Sequence, residues 1–177
     1  MIEFPNDDYL EDYVSTYSEP MKEDLAEFFS QQNIQEALDN NDIQYLYDEF
    51  QESLVWRPKE LTIILLLSGI DILRNVTKVP RKMFFGLDVV KVEIPKNILT
   101  IGNRAFFDCA ELLRVKLPKS VKEIENYAFY MCPDLYEIDY EGTMEDWNEI
   151  RKGELWHSGR SLYINCSDGE IKLEDNE

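Results

Sequence analysis

The side chains able to do chemistry in this chain are few, and their spacing argues against a reaction. His157 is the single histidine, so a pair of imidazole ligands for a transition metal cannot be assembled. A triad would need His157 beside a Ser or Cys and an acid; Ser158 and Ser161 are near in sequence, but nothing orients them. Carboxylate pairs abound, as in Asp7-Asp8, Glu11-Asp12 and Glu23-Asp24, but in so acidic a stretch their density carries no information about acid–base work. Asp39 and Asp42, with Asn40 and Asn41 between them, offer oxygen donors without the spacing of a calcium loop. The 7 glycines are scattered and form no phosphate-binding loop. The residues therefore imply no enzyme, no metal and no cofactor.

Charge is the next signal. The formal net charge is −18 over 177 residues, and residues 1–52 hold 15 Asp/Glu against one basic residue, Lys22. Residues 76–142 carry 10 of each sign and are neutral. Such a front end opposes direct binding of nucleic acid, which needs Lys and Arg to neutralise phosphates. It suits solubility or attraction to a basic protein, including a nucleic-acid-binding protein whose groove carboxylates could fill. Tyr9, Glu11, Asp12, Tyr13 and Tyr17 are the candidate contacts, because aromatic residues set among carboxylates dock well on basic, partly apolar partners. Tyr45 and Tyr47 share that composition.

Short helices must position these residues. Tyr9, Tyr13 and Tyr17 are spaced by four and fall on one helical face. Ser18-Glu19-Pro20 reads as a helix start, followed by the apolar stripe Met21, Leu25, Phe28 and Phe29. Asn33 and Asp42 are candidate caps for two further segments, the second with Ile43, Leu46, Tyr47 and Phe50 facing inward. Pro58 opens the most apolar helix, Gly69 stops it, and its richness from Leu61 to Leu67 predicts burial on more than one side. That run is too short to span a bilayer, which takes roughly 20 residues. The N-terminal residues have neither a basic start nor an apolar run, so a cytoplasmic protein is expected, with no membrane partner.

The middle of the chain repeats itself. Ile94-Pro95 is answered by Leu117-Pro118, Ile101 by Ile124, Ala105-Phe106 by Ala128-Phe129, Cys109 by Cys132, Leu112 by Leu135 and Val115 by Ile138. The common offset of 23 is the mark of a solenoid, whose coils bury their apolar faces only by stacking. An imperfect coil from Val79 precedes two good ones, and a half coil ends near Tyr140. Cys109 and Cys132 would lie one above the other as small buried side chains, and Cys166 is odd, so no disulfide framework is indicated. In each coil an alternating strand faces the core. Stacking would set Lys91, Arg114 and Glu137 in one outward row and Glu93, Lys116 and Asp139 in another, either a solvated ladder or a binding face.

The pattern Ile-Pro-Lys-x-Ile/Val-x-x-Ile-x-x-x-Ala-Phe-x-x-Cys-x-x-Leu-x-x-Val/Ile resembles the BspA-type leucine-rich repeat family over roughly residues 76–142. Tyr140-Glu141-Gly142-Thr143, leading to Trp147, resembles the close of such arrays. The resemblance implies a short Trp-bearing helix, a strand at Leu162-Tyr163-Ile164, and a hairpin through Ser167-Asp168-Gly169 to Ile171-Lys172-Leu173. The expected fold is an α/β (α+β) solenoid of 23-residue coils with parallel strands. An acidic helical segment (1–75) caps one end of the repeats (76–142), and a helix plus strands (143–177) caps the other. The lead-in from Gly69 resembles short members frequent in bacteriophage and prophage genomes, whereas long members are surface adhesins. The family implies binding rather than a reaction. The expected function is therefore a non-enzymatic, intracellular, phage-encoded protein-interaction module. It would inhibit a host defence effector through the acidic segment or through the repeat face of Lys91, Glu93, Arg114, Lys116, Glu137 and Asp139. The alternative is a structural, assembly or homo-oligomeric protein.

Overall fold

A computed structural model describes residues 1–16, 19–53, 58–67, 69 and 71–174. The chain forms two compact units, Asn6–Val76 and a second made of Met1–Pro5 with Thr77–Glu177.

The first unit is helical: α1 (Tyr9–Ser15), α2 (Glu19–Ser30), α3 (Gln32–Asp39), α4 (Ile43–Ser53) and α5 (Pro58–Leu67). Its core collects Leu25 and Phe28 of α2, Ile34 and Ala37 of α3, Ile43, Leu46, Tyr47 and Phe50 of α4, and Leu61, Ile63 and Leu65 of α5. Phe28 meets Phe50 edge to face at 5.1 Å. Consecutive burial of Leu61, Thr62 and Ile63 shows α5 enclosed on more than one side. The buried hydroxyls of Tyr47 and Thr62 hydrogen-bond to each other. Asp42 caps α4 by accepting from the Tyr45 N–H at 3.1 Å, and Gly69, at φ 73°, closes α5. Asn33 does not cap α3: Gln31 holds the cap position, and Asn33 donates from within the helix to the Tyr45 hydroxyl at 2.9 Å. The Asp39–Asp42 string is a helix-to-helix turn. Asn41 sits at φ 53°, and the Asp42 N–H returns to the Ala37 carbonyl at 2.8 Å.

The second unit is the solenoid. Its strands are β1 (Ile2–Glu3), β2 (Lys78–Val79), β3 (Lys91–Glu93), β4 (Thr100–Ile101), β5 (Arg114–Leu117), β6 (Glu123–Ile124), β7 (Glu137–Tyr140), β8 (Arg151–Lys152), β9 (Leu162–Cys166) and β10 (Gly169–Leu173), with α6 (Met144–Glu149) between β7 and β8. They form a six-stranded sheet, β1-β3-β5-β7-β9-β10, and a four-stranded sheet, β2-β4-β6-β8. Each coil contributes one strand to each sheet, and all coil-to-coil pairings are parallel.

Two features depart from the sequence reading. Met1–Pro5 belong to the sheet rather than to the acidic helical segment: Ile2 and Glu3 pair antiparallel with Val92 and Lys91. The Val90 N–H donates to the Glu3 carbonyl and the Glu93 N–H to the Met1 carbonyl, each at 2.7 Å, which satisfies the backbone of β3 at its open edge. A two-residue strand is too short to leave a pattern. The closing segment is also more than a cap, because it is a fourth coil. Arg151 pairs with Glu123, 28 residues earlier, and Asn165 with Asp139, 26 earlier. Insertion of α6 lengthens this coil and hides it from a 23-residue search.

The core is a column. Phe84, Phe106 and Phe129 stack at 4.7 and 5.1 Å with planes within 7° of parallel, and Trp156 closes the column edge-on against Phe129 at 6.4 Å. Ala105 and Ala128 are fully buried beside them. The Phe84, Phe106 and Phe129 N–H groups donate to Ala105, Ala128 and Trp156 carbonyls at 2.8, 2.8 and 2.7 Å, so the column is also stitched through the backbone. Cys109 and Cys132 are indeed buried repeats, and their thiols donate back one coil, to the Phe84 and Phe106 carbonyls at 3.0 and 2.9 Å. Each coil turns through two left-handed residues: Lys82 and Gly86, Arg104 and Asp108, Tyr127 and Met131, Leu155 and Gly159.

At the last coil Thr143 and Asp146 form a reciprocal capping box for α6. Trp147 is buried against Tyr140 and Trp156. Lys152 takes the register position held by Ile124, an inward slot in the coil below. Its ammonium donates to the Trp147 and Ile150 carbonyls at 2.6 and 3.0 Å and so caps the C-terminal end of α6.

Two stability measurements test this description. Phe106→Ala removes the middle of the column and should cost about 3–5 kcal/mol by denaturant titration; a loss below about 1 kcal/mol would refute its central place. Met131→Gly should stabilise by about 0.5–1 kcal/mol, because Met131 holds at φ 59° a slot that is glycine in the first and last coils.

Candidate protein-binding surface

The six-stranded sheet carries its outward side chains in two rows. Glu3, Lys91, Arg114, Glu137, Tyr163 and Lys172 make the first, and Glu93, Lys116, Asp139, Asn165 and Glu170 the second. Parallel stacking without a register slip brings equivalent residues side by side, so a repeat position becomes a line across the surface.

Most of these charges answer one another. Lys116 meets Glu93 at 2.8 Å and Glu141 at 3.5 Å. Arg114 Nε meets Glu137 Oε2 at 2.5 Å. Asn165 donates to Glu137 at 2.5 Å and to Asp139 at 3.0 Å, spacing two carboxylates that would otherwise repel. The hydrogen bond from Lys116, with its charge, holds the Glu93 carboxyl below the usual carboxylate range, and Glu93 raises Lys116 in return. Four of the six sequence-nominated face residues, Glu93, Lys116, Arg114 and Glu137, are thus joined in a ladder. Asp139 is tied in through Asn165, and Lys91 stands exposed beside them.

The sequence reading passed over the apolar residues that break the ladder. Leu113 and Tyr136, one position ahead of β5 and β7, are 38% and 42% exposed, and Tyr163 on β9 is 36% exposed. Arg114 Nε donates to the Tyr136 hydroxyl at 2.9 Å while its guanidinium lies 5.5 Å from the ring centroid. That hydrogen bond, more than the neighbouring carboxylate, raises the Arg114 pKa. The Lys172 ammonium lies 5.9 Å from the Tyr163 ring. Tyrosine and arginine presented on a rigid sheet are the side chains that most often carry interface energy. The one available signal was the residue following each repeated leucine, Leu112 and Leu135, where Leu113 and Tyr136 are large and apolar.

A second aromatic strip lies on the return side of the coils. Phe85 and Phe107 stack at 5.0 Å, and Tyr130 follows Phe107 at 5.9 Å. Arg104 sits 4.7 Å from the Tyr127 ring centroid. These rings are half-buried, so less of each is offered to a partner.

In the helical unit Tyr9, Glu11, Asp12 and Tyr13 lie on α1, where Glu11 and Asp12 are exposed and Tyr9 half-buried. Tyr17 lies outside the described residues. Tyr47 is core rather than contact, as its place four residues after Ile43 on the inward stripe dictates; burial pushes its hydroxyl pKa well up. Tyr45 is half-buried and accepts from Asn33.

His157 serves the last turn. Its Nδ1 accepts from the Gly159 N–H at 3.2 Å, its ring packs on Trp156, and burial lowers its pKa. Ser158 Oγ accepts from the Cys132 N–H at 3.0 Å. Among the described residues no three His, Cys, Asp or Glu side chains converge on a metal-sized site, and no helix is long and apolar enough to cross a membrane.

Stacked short coils with a parallel sheet on one side and a ridge of turns on the other define a leucine-rich-repeat solenoid. Residues 65–168 match the BspA type leucine rich repeat region, in 6 copies and over more than half of the sequence, and the chain belongs to that family. The match runs past both ends of the 76–142 stretch, in keeping with the fourth coil. A leucine rich cell surface protein from Faecalibacterium prausnitzii A2-165 is 36% identical over 42% of this chain and 20% of that one, with a TM-score of 0.41. The match spans about a fifth of that protein's length. No curated protein matches the sequence.

The ladder has a spectroscopic test. By NMR titration Glu93 should ionise below the ordinary glutamate value of 4.5, and Lys116→Gln should bring it back up. A depressed carboxyl stabilises the fold above its unfolded pKa and loses that contribution as pH falls through the folded one. The stability difference between wild type and Lys116→Gln should therefore be present at neutral pH and shrink in acid. A Glu93 titration unmoved by the substitution would dissolve the pair.

Proposed function

We propose that the chain is a non-enzymatic protein-binding module that engages its partner with the outer face of the six-stranded sheet. The observation that carries this reading is the exposed cluster of Leu113, Tyr136 and Arg114, with Tyr163 beyond it, on a surface most of whose charges are mutually paired. Paired charges set register and exclude wrong partners at little desolvation cost, while exposed tyrosine and leucine supply the area that binding buries. Lys91, Glu93, Arg114, Lys116, Glu137 and Asp139 form the polar surround in this reading.

A second reading has its own support in the charge distribution. The carboxylates of residues 1–52, all but Glu3 in the helical unit, would steer that unit toward a basic protein, with Glu11 and Asp12 of α1 exposed for contact. In its sharpest form the chain is encoded by a phage or prophage, acts in the host cytoplasm, and blocks a nucleic-acid-binding defence effector by occupying its basic groove. The three unpaired cysteines suit a reducing compartment.

The two surfaces are separated by substitution. Immobilised chain is challenged with host proteins at low salt, and any retained partner is titrated against three forms. Under the sheet-face reading, Tyr136→Ala with Arg114→Ala weakens binding about 30-fold or more, and reversal of Glu11, Asp12, Glu23 and Asp24 to Lys leaves it within about threefold. The opposite pattern favours the acidic segment. Retention of no partner, or equal retention by all forms, overturns both.

A further inference from the structure

We propose that the chain forms a two-fold dimer in which β10 pairs antiparallel with the β10 of a second copy, joining two six-stranded sheets into one. The proposal stands on the sheet edge and does not depend on which surface binds another protein.

Among the described residues the two sheets end in four edge strands. β1, β2 and β8 are two residues long, whereas β10 is five. β10 pairs with β9 along its whole length, Gly169 with Cys166 through Leu173 with Leu162, without a bulge. It contains no proline. Charged residues commonly protect such an edge from pairing, and β10 has two, Glu170 and Lys172, both exposed. Their placement decides the matter.

The β9–β10 turn is a two-residue one, Ser167-Asp168, so the flanking Cys166 and Gly169 share the first hydrogen-bonded pair. By alternation the backbone N–H and C=O groups of Glu170 and Lys172 are the ones directed away from β9. An antiparallel two-fold copy centred on Ile171 then sets Glu170 opposite Lys172 of the second copy and Lys172 opposite its Glu170. Both are hydrogen-bonded pairs of opposite charge. Moving the centre to Glu170 or to Lys172 would set like charges face to face, so the strand's own sequence selects one register. Half-buried Ile171 meets its counterpart on the axis, on the core side of the sheet, where it already lies opposite Ile164. Lys172 meets Glu174 at 3.0 Å, and both are exposed. An exposed pair of this kind holds its partners weakly, and Lys172 can exchange Glu174 for Glu170 of the second copy. On the outer face Tyr163 of each copy would then flank the joined charges.

Sedimentation of the full chain over a concentration series tests this with two reversals. Wild type should show a reversible monomer–dimer equilibrium. Glu170→Lys sets Lys against Lys twice and Lys172→Glu sets Glu against Glu twice, so each variant alone should raise the dimer dissociation constant by about tenfold. An equimolar mixture of the two variants restores opposite charges at both positions and should return within about threefold of wild type. Both positions are exposed, and circular dichroism verifies that each variant is folded. Wild type remaining monomeric at every concentration overturns the proposal. So does a dimer indifferent to the single reversals, or a mixture no tighter than either variant by itself.

Discussion

Coil-on-coil stacking is the constraint on which the rest of the solenoid depends. One coil of about 23 residues cannot enclose Phe106: it has no second layer of its own, and the ring is covered only because Phe84 lies on one side and Phe129 on the other. The same stacking gives each short strand its backbone partners, pins the thiols of Cys109 and Cys132 to the carbonyls of the coil before, and lines up the left-handed residues at the turns. Because every coil is supported by its neighbours, the ends are the weak points. The chain spends β1 on the first open edge of the large sheet. At the last coil it spends α6, Trp156 and Lys152.

The terminal coil shows how an array of this kind stops. Its inward slot holds Lys152 where the coil below holds Ile124. A lysine is tolerated there because no further coil follows among the described residues, and the orphan carbonyls of α6 need a donor. Half burial lowers its pKa, and its ammonium is held by the Trp147 and Ile150 carbonyls. The insertion that carries α6 also supplies Trp147 and Ile150, which are buried together with Trp156 of that fourth coil.

The surfaces divide by how their charges are used. On the sheet face, Lys116 with Glu93 and Arg114 with Glu137 are committed to each other, which leaves the tyrosines and Leu113 as the groups offered outward. On α1 the exposed Glu11 and Asp12 would act at long range, without a fixed geometry. The first surface suits shape-specific recognition and the second suits steering, because unpaired like charges act over about a Debye length while contact energy needs buried area.

The repeat itself was legible in the residues, because identical solutions to one packing problem recur as identical letters. Ile101 and Ile124, Ala105 and Ala128, and Cys109 and Cys132 specified the coils, the parallel register and the two outward rows. Asp42 and Gly69 announced helix ends through local chemistry alone. Only the tertiary structure decided what depends on residues far apart or on irregular spacing. It decided that Met1–Pro5 complete the sheet, that residues 143–173 form a fourth coil rather than a simple cap, that Asn33 lies inside a helix, and that Leu113 and Tyr136 are exposed. The physical reason is common to all of these. Period and capping are written in residue type at fixed short offsets. Edge pairing, an inserted helix, and the division of aromatic residues between core and surface are settled by which distant backbone and side chain arrive beside them.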